Sequence, residues 1–349
     1  MMMNKFAALA GSLLLGVFSL TKSGAASVNP PGSTPEQVRL ALGSVPGEFV
    51  VAWTTGGDDT GKVSSVAWGA TPSLELGKVA AKSTIFTMNP TYNFTTHSAT
   101  MNGMKASTRY FYQVTTNGIS SATFNWTTPR NSPPYTHLVF GDLGSAYAYT
   151  ICPDCTSDLT CTCKNRTAGM ISEVENADML LHLGDFAYNF PDQGGLVGDQ
   201  FMRNIEPLAT KAPYMVCVGN HENGDNAIAQ YTERFRYMPT ASSGSGTIST
   251  HNTQNSPNNW FFSWDAGLVH YVAMSTEVQA LAMMSYGNGT ELVKRQFEWL
   301  RADLIKANKN RENVPWVAVF GHRSMYCSCD GVSLFYLIFT IITRHFDHF

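Results

Sequence analysis

Four apolar runs in this chain end in the same way. Leu180-Leu-His-Leu runs into Gly184-Asp-Phe-Ala-Tyr188, and Thr136-His-Leu-Val-Phe140 runs into Gly141-Asp-Leu-Gly144. Tyr214-Met-Val-Cys-Val218 runs into Gly219-Asn-His-Glu222, and Trp316-Val-Ala-Val-Phe320 into Gly321-His322. Each reads as a short buried strand, a turn at glycine and then a side chain able to hold a cation: Asp142, Asp185, Asn220 and His322. Tyr188 is delivered to the same edge. In open α/β sheets ligands collect at the C-terminal ends of the strands. Hard oxygen donors mixed with imidazole suit Fe, Zn or Mn. A lone Asp after a strand is usually a turn residue or a helix cap. Four such ends together predict one metal site built from four loops.

The elements that must position these loops follow from the pattern around them. From about residue 131 onward, strands alternate with helices, the signature of an α/β domain. Helices are predicted over Ala168–Asn176, Val197–Ala209 and Glu291–Ala307. The last has Val293, Phe297, Leu300 and Leu304 on one apolar face. Trp260–Trp264 and Val269–Met274 read as a strand pair, and the Ser/Gly-rich stretch Ala241–Thr250 as a mobile surface loop. Residues 30–130 differ. Short strand-like runs (Val38–Leu42, Phe49–Thr54, Ser64–Trp68, Thr84–Met88, His97–Met101, Tyr110–Thr115, Thr123–Thr127) are separated by Gly, Pro, Asn and Ser, which predicts a β-sandwich. Its Trp53 and Tyr110-Phe-Tyr112 are expected in the core. Asn131-Ser-Pro-Pro134 is the expected linker. His182 is expected to be structural, Asp178 and Asp199 to cap or solvate, and His137 and His270 carry no assignment.

Composition narrows the function classes. The chain has 349 residues, 44% of them hydrophobic, with 23 Lys plus Arg against 26 Asp plus Glu and a net charge of −3. There is no basic run, so a nucleic-acid partner is not expected. Residues 1–26 read as a secretory leader: Lys5, an apolar stretch from Phe6 to Leu20, and small residues at Ser23-Gly-Ala-Ala26. That stretch is shorter than the roughly 20 apolar residues of a membrane span, and stable membrane insertion is not expected. Asn93, Asn125, Asn165 and Asn288 open Asn-x-Ser/Thr sequons, which carry sugar on secretory chains. Cys152, Cys155, Cys161 and Cys163 crowd one loop. Their spacing fits a zinc knot or a disulfide framework, and a secretory, oxidising compartment favours disulfides. The cysteine count of seven leaves at least one unpaired; Cys217, in an apolar strand, is the expected inert thiol.

In their order and residue types, Gly141–Gly144, Gly184–Tyr188, Gly219–Glu222 and Val319–His322 resemble the first four of the five signature motifs of the purple acid phosphatases, which are calcineurin-like metallophosphoesterases. The Ser263–Glu277 segment and Gly321-His-Arg-Ser-Met-Tyr-Cys327 add to the likeness, which covers about residues 35–331. The resemblance implies a fibronectin-like β-sandwich over 30–130 followed by a metallophosphoesterase domain of α/β/β/α sandwich type over 131–331. It implies that Asp142, bridging Asp185 and Tyr188 hold Fe(III). Asp185, Asn220 and His322 would hold a divalent metal (Fe, Zn or Mn). It implies that a metal-bound hydroxide attacks phosphate monoesters and that His221 contacts the phosphate or protonates the leaving group. The expected product is a secreted acid phosphatase, extracellular or delivered to a vacuole or lysosome. Phe186-Ala-Tyr-Asn-Phe-Pro191 stands where protein Ser/Thr phosphatases carry Asp-Arg-Gly.

The family's fifth motif, Gly-His-x-His, is absent, and residues 332–349 resemble no phosphatase ending. Three readings stand: a C-terminally truncated product, a membrane tail in Val332–Ile342, or replacement of the two ligands by His345 and His348. The functional alternatives are a weak or inactive glycoprotein that acts by binding, and a phosphodiesterase or nucleotidase of the same superfamily.

Overall fold

A computed structural model describes residues 29–145, 163–222, 225–239, 247–250, 253–257, 259–278, 289–323 and 339–343. The expected leader, Cys152, Cys155, Cys161, Asn288, His345 and His348 lie outside them, as do residues 241–246 and 332–338.

The first half is a two-sheet sandwich. One sheet orders β1 (Glu36–Leu42), β2 (Phe49–Gly56), β6 (Tyr92–Met101) and β5 (Lys82–Asn89), all antiparallel. The other orders β4 (Gly77–Ala80), β3 (Ser64–Gly69), β7 (Arg109–Thr116) and β8 (Ile119–Ser120), with β9 (Phe124–Thr127) also on β7. β7 shows why it is a strand: Tyr110, Tyr112, Val114 and Thr116 are buried while the residues between them are partly or fully exposed, the period of two that one buried sheet face requires. Trp126 fills the space between sheets, its ring 5.8 Å from Phe49 and 5.2 Å from Tyr112.

The second half is layered α/β/β/α. A parallel sheet orders β10 (His137–Phe140), β11 (Met179–His182) and β12 (Tyr214–Val216). A second sheet orders β15 (Phe262–Ala266), β16 (Val269–Ala273), β17 (Trp316–Gly321) and β18 (Phe339–Thr343). The two face each other, with His137 Nε2 2.5 Å from Tyr271 Oη and an apolar cavity of about 370 Å³ between them, lined by Leu181 and Leu183 on one side and Ala318 and Phe320 on the other. Helices α1 (Cys163–Val174), α2 (Leu196–Ala209) and α3 (Asp225–Arg234) accompany the first sheet, and α4 (Gly289–Lys309) packs on the second through Trp299 against Phe261. A hairpin of β13 (Thr247–Thr250) and β14 (Thr253–Pro257) turns part of the expected mobile loop into paired backbone.

Three expectations are corrected. On α4, Val293, Leu300 and Leu304 of the expected apolar face pack partly buried against the core, but Phe297 is 65% exposed and the buried positions are Gln296, Trp299, Asp303 and Ala307. Gln296 bonds the backbone of Ser275 in both directions, and Asp303 accepts from Ser263, so polar partners chose the face. Asp178 is not solvated: it is buried in a forked ion pair with Arg130 and accepts Thr136 N at 2.8 Å. Asp199 is fully buried and pairs with Arg234 at 2.9 Å. Tyr92 of the sandwich donates to Asp199 at 2.8 Å, and Gln37 accepts from Arg234 at 3.0 Å, so this network welds the two halves. β18 takes up part of the stretch read as a candidate membrane tail and pairs antiparallel with β17. Among the described residues no helix is long and apolar enough to cross a membrane.

Candidate metal centre

The first sheet brings the turns after β10, β11 and β12 to one edge. In parallel register Phe140 stands beside His182, and His182 beside Val216, so their following residues emerge together. The chain then turns sharply. Gly184 has φ of 84°, and a Cβ there would lie 2.7 Å from Gly219 Cα. Only glycine permits that approach. Asp142, Asp185 and Tyr188 themselves hold φ of 53°, 54° and 52°, the left-handed region that non-glycine residues rarely adopt and that concentrates at functional sites.

His322 arrives from the other sheet, at the end of β17. Its Nδ1 is 2.7 Å from the Leu183 carbonyl, which only accepts, so Nδ1 is the donor. Its Nε2 then faces Asn220 Oδ1 at 3.0 Å and Asp185 Oδ2 at 3.4 Å. Asp185 Oδ2 is buried without a hydrogen-bond partner. Acceptor atoms that converge in this way need a cation between them or a proton on His322. Among the described residues, Asp142, Asp185 and His322 are the group whose ligand atoms lie within 4.8 Å of one another. The donor set, the orphaned oxygen and a backbone carbonyl orienting the histidine all fit a bound metal.

The electrostatics agree in direction. Burial opposes charge on Asp185, but His322 and the His221 N–H outweigh it and hold the carboxyl below its usual range. Burial likewise opposes charge on His322, and Asp185 more than offsets it, so the imidazole is raised. Burial and then the Asp185 and Asp142 carboxylates push the Tyr188 phenol up, so it stays protonated and donates to Asp142 Oδ1 at 2.6 Å. A cation between these carboxylates would invert that preference.

His221 sits beside the cluster. Its backbone N–H donates to Asp185 Oδ1 at 2.8 Å, and its ring lies 4.1 Å from that of Tyr188. Thus all six residues singled out in the sequence, Asp142, Asp185, Tyr188, Asn220, His221 and His322, come to one place. The sequence reading missed Glu222. Fully buried, it accepts the N–H groups of Asp185, Phe186 and Gly219 at 2.9, 3.0 and 2.9 Å. Its position inside the Gly219–Glu222 motif was the available signal. It also missed Asn189, whose Oδ1 lies 2.7 Å from His221 Nδ1. None of the ligand residues lines the apolar cavity between the sheets.

Comparison with known proteins places this geometry. Residues 135–337 match the family described as "Calcineurin-like phosphoesterase", and residues 35–128 match "Purple acid Phosphatase, N-terminal domain". The chain belongs to the calcineurin-like phosphoesterases, with the domain arrangement of the purple acid phosphatases. It is 35% identical over 320 residues to acid phosphatase type 7 of Homo sapiens, covering 90% of this chain and 64% of that protein. To acid phosphatase type 7 of Danio rerio it is 32% identical, covering 86% and 61%. It thus spans somewhat under two thirds of these relatives. A purple acid phosphatase isolated from yellow lupin (Lupinus luteus) seeds shares the fold, with a TM-score of 0.59, 22% identity, and coverage of 86% of this chain and 52% of that one.

Proposed function

We propose that this chain is the phosphate-ester-cleaving part of a secreted, metal-dependent acid phosphatase acting on phosphate monoesters. The observation that carries the reading is the convergence of Asp142, Asp185 and His322, with Asp185 Oδ2 buried, outside any hydrogen bond and 3.4 Å from His322 Nε2. Fe(III) is the proposed occupant beside Asp142, Asp185 and Tyr188, with a divalent Fe, Zn or Mn beside Asp185, Asn220 and His322. When bound, such a pair clamps phosphate oxygens and acidifies a water to make the nucleophile.

The residues of the chain divide the remaining work. Asp185 stands between the Tyr188 side and the His322 side and is the proposed bridge. Asn220 offers a neutral oxygen, which limits negative charge where an anionic substrate must enter. His221, held by its backbone to Asp185, is placed to hydrogen-bond the phosphate or to move a proton to the leaving oxygen.

The test is hydrolysis of a chromogenic phosphate monoester and the matching diester at acidic pH, after reconstitution with iron and zinc. Monoester turnover that is lost in Asp185→Ala supports the reading. Faster diester turnover moves it to a phosphodiesterase. A folded, metal-loaded chain without turnover leaves binding as the function. The iron assignment is tested separately by a visible tyrosinate-to-iron band that Tyr188→Phe should remove.

Secretion rests on residues 1–26 and the sequons. Asn93 on β6 and Asn125 on β9 are both partly exposed. Loss of mass after glycosidase treatment of chain recovered from culture medium is expected; an unchanged mass would remove the glycoprotein assignment.

A further inference from the structure

The space between the two sheets of the second half is larger than close packing leaves. The cavity measures about 370 Å³, with Leu181 and Leu183 on one side and Ala318 and Phe320 on the other. Folded interiors hold few voids larger than a water molecule, and pockets that take small ligands begin at about 300 Å³. Water is a poor occupant, since a buried water needs about two to four polar partners. On the lining, Tyr135 Oη already accepts Leu268 N at 2.9 Å, and His137 Nε2 and Tyr271 Oη share a hydrogen bond of 2.5 Å. Of the histidine and tyrosine side-chain atoms there, His137 Nδ1 alone is buried outside any hydrogen bond. No Asp, Glu, Lys or Arg lines the cavity. Burial lowers the pKa of His137, so its ring is neutral at neutral pH. Tyr135, His137, Tyr271, Trp316 and Phe320 make much of the lining aromatic, and such rings favour edge-on or offset contact with another ring. Val139 and Trp316 are 52% and 38% exposed, so the cavity opens to solvent on their side.

We propose that this cavity is a binding site for an uncharged aromatic molecule of one or two rings, separate from the metal centre. Its volume sets the size. A cavity of about 150 Å³ takes up benzene, so about 370 Å³ has room for a second ring. Its lining sets the chemistry. A ring gains by leaving water for the surfaces of Leu181, Leu183 and Ala318. A charged group would lose its water with no opposite charge to meet it. Leu183 borders both places: it lines the cavity, and its carbonyl holds His322 Nδ1 at 2.7 Å. The ring and the metal thus share a wall but no ligand residue.

The full chain would be titrated at neutral pH with prodan, an uncharged naphthalene dye whose emission shifts to the blue on leaving water. Saturable binding of one dye per chain is expected. Naphthalene should displace the dye, and the naphthoate anion, the same rings carrying a carboxylate, should need at least about tenfold more. Ala318→Phe puts a ring into the space itself, and Val139→Trp narrows its open side. Each should weaken dye binding at least about tenfold, with the fold checked by circular dichroism. Leu183 is left unaltered because its carbonyl serves His322. A wild type without saturable binding overturns the proposal. So does a folded Ala318→Phe that binds the dye as the wild type does, since the dye then sits elsewhere. Val139→Trp changes a half-exposed side chain and decides the same point if Ala318→Phe fails to fold. Equal displacement by naphthalene and naphthoate overturns the chemical class.

Discussion

The carboxylate of Glu222 accepts the backbone N–H of Asp185 at 2.9 Å, and so ties the turn after β12 to the turn after β11. The same carboxyl takes Phe186 N and Gly219 N, so one buried side chain organises the backbone under the central ligand, while burial and the Asp185 carboxylate push its pKa up to about 8. Glu222→Gln keeps the shape but puts an NH2 where an N–H needs an acceptor. A buried donor left unsatisfied costs about 1–3 kcal/mol, and disturbing the support of a ligand lowers metal affinity by about 10–100-fold. Calorimetric titration with Zn2+ and a thermal melt measure the two effects. Wild-type affinity in a folded Glu222→Gln chain would show that the anchor is dispensable.

Gly219 is expected to tolerate no side chain. A Cβ there would lie 2.4 Å from both Asp185 N and Asp185 Oδ1. Gly219→Ala must displace the ligand itself, and Zn2+ affinity should fall at least about tenfold, by the same ligand-support argument. Gly194 is the control. It has a positive φ of 71° but open space around it, so Gly194→Ala should cost only backbone strain of about 1–2 kcal/mol and leave Zn2+ affinity alone. Equal losses in both would contradict the steric account.

Removing one partner of the Asp199–Arg234 pair should be severe. Both side chains are fully buried, and Tyr92 and Gln37 of the sandwich complete their bonding. Asp199→Ala leaves a buried guanidinium uncompensated, at a cost of about 3–5 kcal/mol. The double change Asp199→Leu with Arg234→Met should cost less than Asp199→Ala alone. Urea unfolding gives the comparison, and a double variant weaker than the single would refute it.

His270 makes stability depend on pH above neutrality. Burial alone would lower its pKa, but Asp265 on one nitrogen and Asp303 on the other raise it from 6.5 to about 9. A group whose folded pKa is raised stabilises fully below its unfolded pKa and stops doing so as pH rises through the folded one. The wild type should therefore lose stability between pH 6.5 and about 9 relative to His270→Gln. Melting temperatures at pH 6 and pH 9.5 test this, since other groups titrate alike in both proteins. A wild-type-minus-variant difference that does not shrink would show His270 to be neutral in the fold.

Much of the site was legible because each ligand lies within a few residues of a strand that announces itself. An apolar run, a glycine and an Asp, Asn or His are a local pattern, and the parallel register of β10, β11 and β12 converts it into a shared edge. Glu222 and Asn189 were not legible, because their work is done on backbone and ring atoms of other loops. The helix α4 shows the same limit: periodicity placed Val293, Leu300 and Leu304 against the core, but it misplaced Phe297 and missed Gln296 and Asp303, which face inward because Ser275, Ser263 and His270 wait there. Asp178 and Asp199 look solvated in sequence and are buried in ion pairs for the same reason.

By itself the sequence determined the two-part architecture, the strand that delivers each ligand and the chemical character of the donors, since all of these depend on side-chain period and short-range turns. The meeting of His322 with Asp185 and Asn220 was also expected, but only the tertiary structure decided that His322 comes from a second sheet, that one carboxyl supports two loops, and that Asp192 turns Asn189 toward His221. Those facts depend on how two sheets pack face to face and on which polar groups lose water together, and neither is written in the spacing of residues along the chain.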